Sequence, residues 1–344
     1  MNINILDDRQ SDALRQLIND AEHIVICCHQ NPDGDALGSS FGLADYLRSL
    51  GKMVLVTVPN MFPDFLRWLP GTERIMRYDK YPSVVKEQCE KADLIFCLDF
   101  NTLDRIDRLG EAVGASKAKR ILIDHHPGPN IETAMTISYP EMSSTCELVF
   151  RVLWQLGAFP QISRQGATHL YCGMMTDTGG FTYNSNNPEI FFIISQLLTK
   201  RINKDKIYRN VYHNFSEDRL RLMGYVMLES LVVKGDCHAS YFTLTKADLK
   251  RFHFIKGDAE GLVNMPLQIK GHKLSISLRE DTDKENTIWV SLRSVDQFPC
   301  NKVAEEFFNG GGHLNASGGR LNCSMEEAIK IAEQAIEAYR AMLA

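Results

Sequence analysis

Four polar clusters rich in aspartate and histidine punctuate the apolar segments of the first half of this chain. HIVICC (23–28) leads into His29-Gln30-Asn31-Pro32-Asp33-Gly34-Asp35, and DLIFCL (93–98) ends in Asp99. RILI (120–123) ends in Asp124-His125-His126, and GMM runs into Thr176-Asp177-Thr178-Gly179-Gly180. Imidazole with carboxylate suits divalent manganese, iron, cobalt or zinc, and the lack of a cysteine ligand disfavours a soft thiolate site. Asp33 and Asp35 flank a glycine, so one turn can aim them at different positions, which suits two neighbouring metals. Without cations, four such carboxylates would repel by roughly 4 kcal/mol per pair at about 4 Å and an effective dielectric near 20. Two divalent ions about 3.5–4 Å apart would neutralise them, activate a hydroxide and stabilise the leaving oxygen of an in-line displacement. Taken singly, Asp and Gly after a strand are ordinary turn chemistry, and Asp99 is an exposed strand end. In this order, each at a strand or helix end, the clusters read as one site.

The elements around them explain how they could converge. HIVICC, MVLVTV (53–58), DLIFCL and RILI are short apolar runs separated by helical stretches, such as Leu37 to Leu50. Strands apolar on both faces and joined by helices predict a largely parallel α/β sheet. In such sheets ligands bind beyond the carboxyl ends of the strands, where three of the clusters fall. The stretch from Arg164 to Met175 reads as helix. PEIFFIISQLLTK and KIYRNVYHNFSEDRLRLMGYVMLESL read as long helical segments, with Phe191, Phe192, Ile193 and Ile194 in their core. Beyond Lys234 come alternating strands, CHASYFTLT, LQIKGHKLSISLRE and TIWVSLRS, then the glycine cluster NGGGHLNASGG (309–319) and a terminal helix from about Met325. The expected architecture is α/β: a parallel-sheet domain over residues 1–200, a helical connection over 201–233 and a smaller α+β domain over 234–344, with a metal-lined cleft between the domains.

Bulk properties narrow the function. A chain of 344 residues suggests two domains. The net charge of −5 and the absence of a basic run argue against a grip on long nucleic acid. The amino-terminal residues lack the apolar run of a signal peptide, and no stretch reaches the length of a membrane span. Nine cysteines with no C-x-x-C pair, several in apolar runs, suit a reducing cytoplasm. Phe62, Phe65 and Trp68 are expected to pack rather than to stack a base.

The ordered motifs resemble the DHH phosphoesterase superfamily: H-x-N-P-D-G-D-A-L-G-S at 29–39, Asp99, D-H-H at 124–126 and T-D-T-G-G-F at 176–181. V-S-L-R-S (290–294) and G-G-G-H (310–313) resemble the associated DHHA1 domain. The resemblance implies that His29, Asp33 and Asp99 hold one metal and that Asp35, Asp99, His125 and Asp177 hold the other, with Asp99 bridging. It implies that His126 faces the substrate phosphate, that Asp124 orients a ligand, and that the ions are manganese, with magnesium or cobalt as alternatives. Arg293, Gly310, Gly311, Gly312 and His313 would bind substrate: the glycines by N–H groups open to phosphate oxygens, the arginine by its fork. Leu314 stands where the family often has a positive charge.

By architecture the chain is similar to stand-alone nanoRNases that also act on 3′-phosphoadenosine 5′-phosphate. The expected activity is therefore hydrolysis of very short RNA to mononucleotides, of that nucleotide to AMP, or both. The expected partner is a short oligoribonucleotide or small nucleotide, with no long nucleic acid and no membrane, in a monomer or homodimer. Hydrolysis of cyclic dinucleotides or their linear products is the alternative, and pyrophosphatase a weaker one. A non-catalytic nucleotide or single-strand binder would be expected to lack metal ligands.

Overall fold

The computed structural model describes residues 3–255 and 257–344, which form two compact units that divide between Asn214 and Phe215. The first unit runs α1 (Asp8–Asp20), β1 (His23–Cys28), α2 (Gly34–Ser49), β2 (Met53–Val58), β3 (Met76–Arg77), α3 (Pro82–Lys91) and β4 (Leu94–Leu98). It continues through α4 (Leu109–Ala115), β5 (Lys119–Asp124), β6 (Met135–Ser138), α5 (Thr145–Gln155), α6 (Arg164–Asp177), α7 (Pro188–Thr199) and α8 (Lys204–Tyr212).

The six strands are parallel in the order β3-β2-β1-β4-β5-β6. Strand alternation divides the apolar side chains between two cores. Ile24, Ile26 and Cys28 of β1 join one cluster with α1, α2, α5, α6 and α7, while Val25 and Cys27 join another with α3 and α4. Both faces are thus covered, which is why the strands read as unbroken apolar runs. Strand order reverses between β1 and β4, so the crevice at their carboxyl ends is the topological switch point. His29 follows β1 and Asp99 follows β4 there.

Two further ligand candidates arrive on helices. The start of α2 carries Asp35, the end of α6 carries Asp177, and the two helices pack closely through small residues. A Cβ on Gly38 would lie 2.6 Å from the His169 carbonyl oxygen; one on Gly173 would lie 2.2 Å from Cys146 Sγ and 3.0 Å from Asp35 Cα. Only glycine lets these backbones approach so far. In α7 the helical period turns Ile190, Ile193 and Leu197 inward and leaves Phe191 53% exposed, against its expected place in the core. Phe62 is buried, and Phe65 and Trp68 pack against the same core, as expected.

The second unit comprises α9 (Glu217–Tyr225), β7 (Val232–Lys234), β8 (Ala239–Leu244), α10 (Lys246–Arg251), β9 (Leu274–Glu280) and β10 (Ile288–Ser294). It ends with α11 (Cys300–Phe307), β11 (Gly311–His313), β12 (Ala316–Leu321), α12 (Met325–Ala338) and α13 (Arg340–Leu343). Its mixed sheet has the order β11-β12-β10-β9-β8-β7. α11 and α12 cover one face with Val303, Ala304, Ala328 and Ala332, and Leu222, Leu249 and Leu262 cover the other. The LQIKG part of LQIKGHKLSISLRE, expected as strand, instead carries the end of a 3-10 turn over Leu262–Gln268; Pro266 interrupts the backbone donors there. Among the described residues no helix is long and apolar enough to cross a membrane.

His169 of α6 reports on the α2–α6 seam. It is buried, stacks on Phe41 at 5.2 Å and donates from Nε2 to the Pro70 carbonyl at 2.8 Å. Burial lowers its pKa to about 4. The unfolded chain therefore takes up a proton near pH 6.5 that the folded state refuses, and stability falls as pH drops from about 6.5 to 4, by on the order of 3 kcal/mol. Below that window both states are protonated and the loss stops. Denaturant titrations across this range should show that acid slope, and His169→Gln, which keeps a donor without the titration, should remove most of it.

Candidate metal centre

Three of the candidate ligands, His29, Asp33 and His125, are turned inward by a bond made with the other polar atom. Asp33 caps α2: its Oδ1 accepts from Asp35 N and Ala36 N, both at 3.0 Å, which leaves Oδ2 3.6 Å from His29 Nε2. His29 donates from Nδ1 to the Gln30 carbonyl at 2.8 Å, and His125 from Nδ1 to the Met142 carbonyl at 3.2 Å. With Nδ1 as donor, the Nε2 of each neutral ring carries its lone pair towards the carboxylates, the tautomer a metal ligand needs.

Asp35 is buried at the start of α5. Its oxygens accept from Thr145 N at 2.6 Å and Cys146 N at 2.8 Å, so the unpaired donors and dipole of that helix offset part of the cost of burying it. Asp177, the last residue of α6, has its Oδ2 3.5 Å from His125 Nε2.

Asp99 joins the two groups. Oδ2 lies 3.4 Å from His29 Nε2, whereas Oδ1 lies 3.6 Å from His125 Nε2 and 3.8 Å from His126 Nδ1. Its N–H continues the sheet by donating to the Ile123 carbonyl at 3.1 Å, and its φ of 64° turns the chain out of the strand. Aspartate tolerates this left-handed conformation better than most residues. At 1% exposure it is no surface strand end.

Ligand atoms of His29, Asp33 and Asp99 lie within 4.8 Å of one another, as do those of Asp35, His125 and Asp177. Nitrogen–oxygen separations of 3.4–3.9 Å are longer than the usual N–H···O distance of about 2.7–3.2 Å. They are near what two ligands subtend across one ion, about 3.0–3.5 Å for bonds of about 2.1 Å. Asp124 is fully buried; its Oδ1 accepts from His126 Nδ1 at 2.8 Å, and its Oδ2 has no hydrogen-bond partner among the described residues. The donor set and the crowding of acceptors both fit divalent cations.

The electrostatics agree. Burial works against a charge on His29, but Asp33 and Asp99 outweigh it and raise its pKa. Burial, with the charges of Asp99 and Asp177, pushes the Asp35 carboxyl well above the usual carboxylate range. Burial would also raise Asp99, yet the surrounding imidazoles, His29 first, hold it low. The metal-free pocket thus gathers protons that a cation would displace.

Motif reading missed the Ser143-Ser144-Thr145-Cys146 turn. Thr145 Oγ1 donates to Asp99 Oδ1 at 2.9 Å while its N–H serves Asp35. The available signal was the S-x-x-E pattern of Ser144 and Glu147, a helix-start signature; Ser144 does cap α5 through Glu147 N. Glu147 fixes this turn, accepting from Ser143 N and Oγ and from Arg151, which is itself buried.

The substrate-binding candidates lie in the second unit. Arg293 on β10 and His313 on β11 both pair with Ala316 on β12, which puts them in register on the same sheet face. Within the glycine cluster, Gly311 and Gly312 form the edge strand β11 with His313. A Cβ on Gly310 would lie 1.8 Å from the Gly318 carbonyl oxygen, so glycine is needed there for packing within the sheet.

A parallel α/β unit that gathers buried imidazole nitrogens and carboxylates at its switch point defines a hydrolase that binds divalent metal. More particularly, the chain belongs to the DHH family: the model of its N-terminal domain matches residues 23–174, and the DHHA1 domain model matches residues 241–338. A solved structure titled an exopolyphosphatase-related protein from Bacteroides fragilis is 53% identical, with a TM-score of 0.94 and 98% of each chain covered. The bifunctional oligoribonuclease and PAP phosphatase NrnA of Thermus thermophilus is 28% identical over 321 residues, 92% of this chain and 89% of that one. RecJ of Thermus thermophilus, solved with Mn2+, shares the fold at 12% identity and a TM-score of 0.54, covering 97% of this chain and 54% of RecJ.

Thr145→Val keeps the shape of the side chain but removes a charge-assisted hydrogen bond to Asp99, worth about 1.5–3 kcal/mol. Manganese binding measured by calorimetry should weaken about ten- to a hundredfold, and Thr145→Ser should restore it.

Proposed function

We propose that the protein hydrolyses very short oligoribonucleotides to mononucleotides and 3′-phosphoadenosine 5′-phosphate to AMP. The observation that carries this reading is Asp99, whose two oxygens face two separate ligand groups. The near-full-length similarity to a protein named oligoribonuclease and PAP phosphatase supports the choice of substrate.

His29, Asp33 and Asp99 would hold one cation and Asp35, Asp99, His125 and Asp177 the other, with manganese the proposed metal. Bound there, divalent cations supply a nucleophile at neutral pH and neutralise charge on the reacting phosphate. Asp124 fixes the His126 ring through Nδ1, which turns Nε2 away to donate to a phosphate oxygen when protonated. Arg293, His313 and the backbone of Gly310, Gly311 and Gly312 are proposed to hold the far end of the nucleotide.

Diadenylate, 3′-phosphoadenosine 5′-phosphate, cyclic diadenylate and polyphosphate should be assayed side by side in manganese. The first two should be preferred; preference for polyphosphate would instead favour the reading carried in the name of the Bacteroides relative. Asp99→Asn should lower turnover of diadenylate by at least about a hundredfold, with metal content falling in parallel by mass spectrometry. Arg293→Ala should spare metal content and hydrolysis of a small generic phosphodiester. On diadenylate it should lower kcat/KM about ten- to a hundredfold, as expected for one lost charge-assisted contact.

A further inference from the structure

The turn after Asp177 is built around aromatic rings that the proposed chemistry does not use. Gly179 and Gly180 have φ values of 54° and 75°, and each supports a tyrosine. A Cβ on Gly179 would lie 2.2 Å from the Tyr183 ring, and one on Gly180 would lie 3.3 Å from the Tyr208 ring. Tyr208 and Tyr212 are one helical turn apart on α8, with centroids 4.9 Å apart, and His213 meets Tyr208 edge-on at 5.3 Å. Tyr212 is the fixed member: its hydroxyl donates to the Met175 carbonyl at 3.1 Å. Burial, then the nearby Tyr183, Tyr208 and Asp177 among its neighbours, push its phenol pKa up, so these groups share one locality. Tyr183 and Tyr208 remain 49% and 42% exposed.

Resting on the oligonucleotide reading above, we propose that Tyr183 and Tyr208 form a stacking surface for the nucleobase of the nucleotide whose phosphate lies at Asp177. Flat rings held against glycine backbone lose little freedom on binding, and a π-face accepts any base without reading its edge. Such a surface favours a nucleotide over a bare phosphate chain. It also places base recognition on the catalytic unit itself, within six residues of a ligand candidate in the case of Tyr183.

The test compares equilibrium binding of AMP and ribose 5-phosphate, which differ by the base, to the full chain in manganese and in chelator. The wild-type protein should prefer AMP roughly five- to a hundredfold. Tyr183→Ala and Tyr208→Ala should each lose most of that preference and raise KM for diadenylate more than they lower kcat; Tyr183→Phe and Tyr208→Phe should retain both. Melting temperatures of all four variants separate a folding defect from a lost contact, and either alanine variant that folds suffices. A preference for AMP that survives both alanine changes overturns the proposal. So does a wild-type protein that cleaves diadenylate yet binds the two ligands equally. A protein that neither binds AMP nor cleaves diadenylate overturns the oligonucleotide reading, and the stacking surface with it.

Discussion

Negative charge concentrated where water is scarce is the constraint that organises this molecule. Asp35, Asp99 and Asp124 are buried together, beside Asp33 and Asp177. Buried like charges at these separations cannot all stay ionised without compensation. The fold compensates by two routes. Donors from the protein cover some oxygens, and the rest are turned towards histidine nitrogens whose own protons are committed to backbone carbonyls. What is left over is a set of lone pairs facing one another at distances suited to cations. Asp99 is the hinge of the arrangement because each of its oxygens belongs to a different group.

Helix ends do much of this work. Asp33 terminates a strand-to-helix turn and caps α2, while Asp35 one step further lies against the start of α5. A carboxylate at a helix start meets unpaired N–H groups and the positive end of the dipole, so burial costs less there than in an apolar core. Bringing the start of α2 and the end of α6 together requires these helices to approach more closely than side chains allow, which is the role of Gly38 and Gly173. The same helix that carries Asp177 then ends in a glycine turn, and the chain beyond it presents tyrosines. Ligand geometry, helix packing and the aromatic surface are consequences of one seam.

The second unit follows different rules. Its mixed sheet carries helices on one face and a smaller apolar cluster on the other, and its glycines serve strand packing. Arg293 and His313 fall in register on a common face because both pair with Ala316. A cationic fork and an imidazole on one sheet face would suit an anionic end group, the role proposed above for Arg293 and His313.

The chain by itself determined which chemistry was available and roughly where. Runs such as HIVICC and DLIFCL are apolar on both faces, so they demanded a covered parallel sheet, and that topology sends the residues after β1, β4 and β5 to one edge. Residue types then restricted the occupant to cations that accept imidazole and carboxylate. Tertiary structure decided what spacing cannot encode. Asp99 shows no motif beyond its place after a strand, and its position between the two ligand groups arises from the reversal of strand order and a left-handed backbone. Thr145 lies 46 residues from Asp99, Phe191 turned outward by helical phase, and Gly311 and Gly312 paired as an edge strand. Each of these depends on which segment becomes the neighbour. That is a property of packing among distant parts of the chain, whereas periodicity and composition report only on near ones.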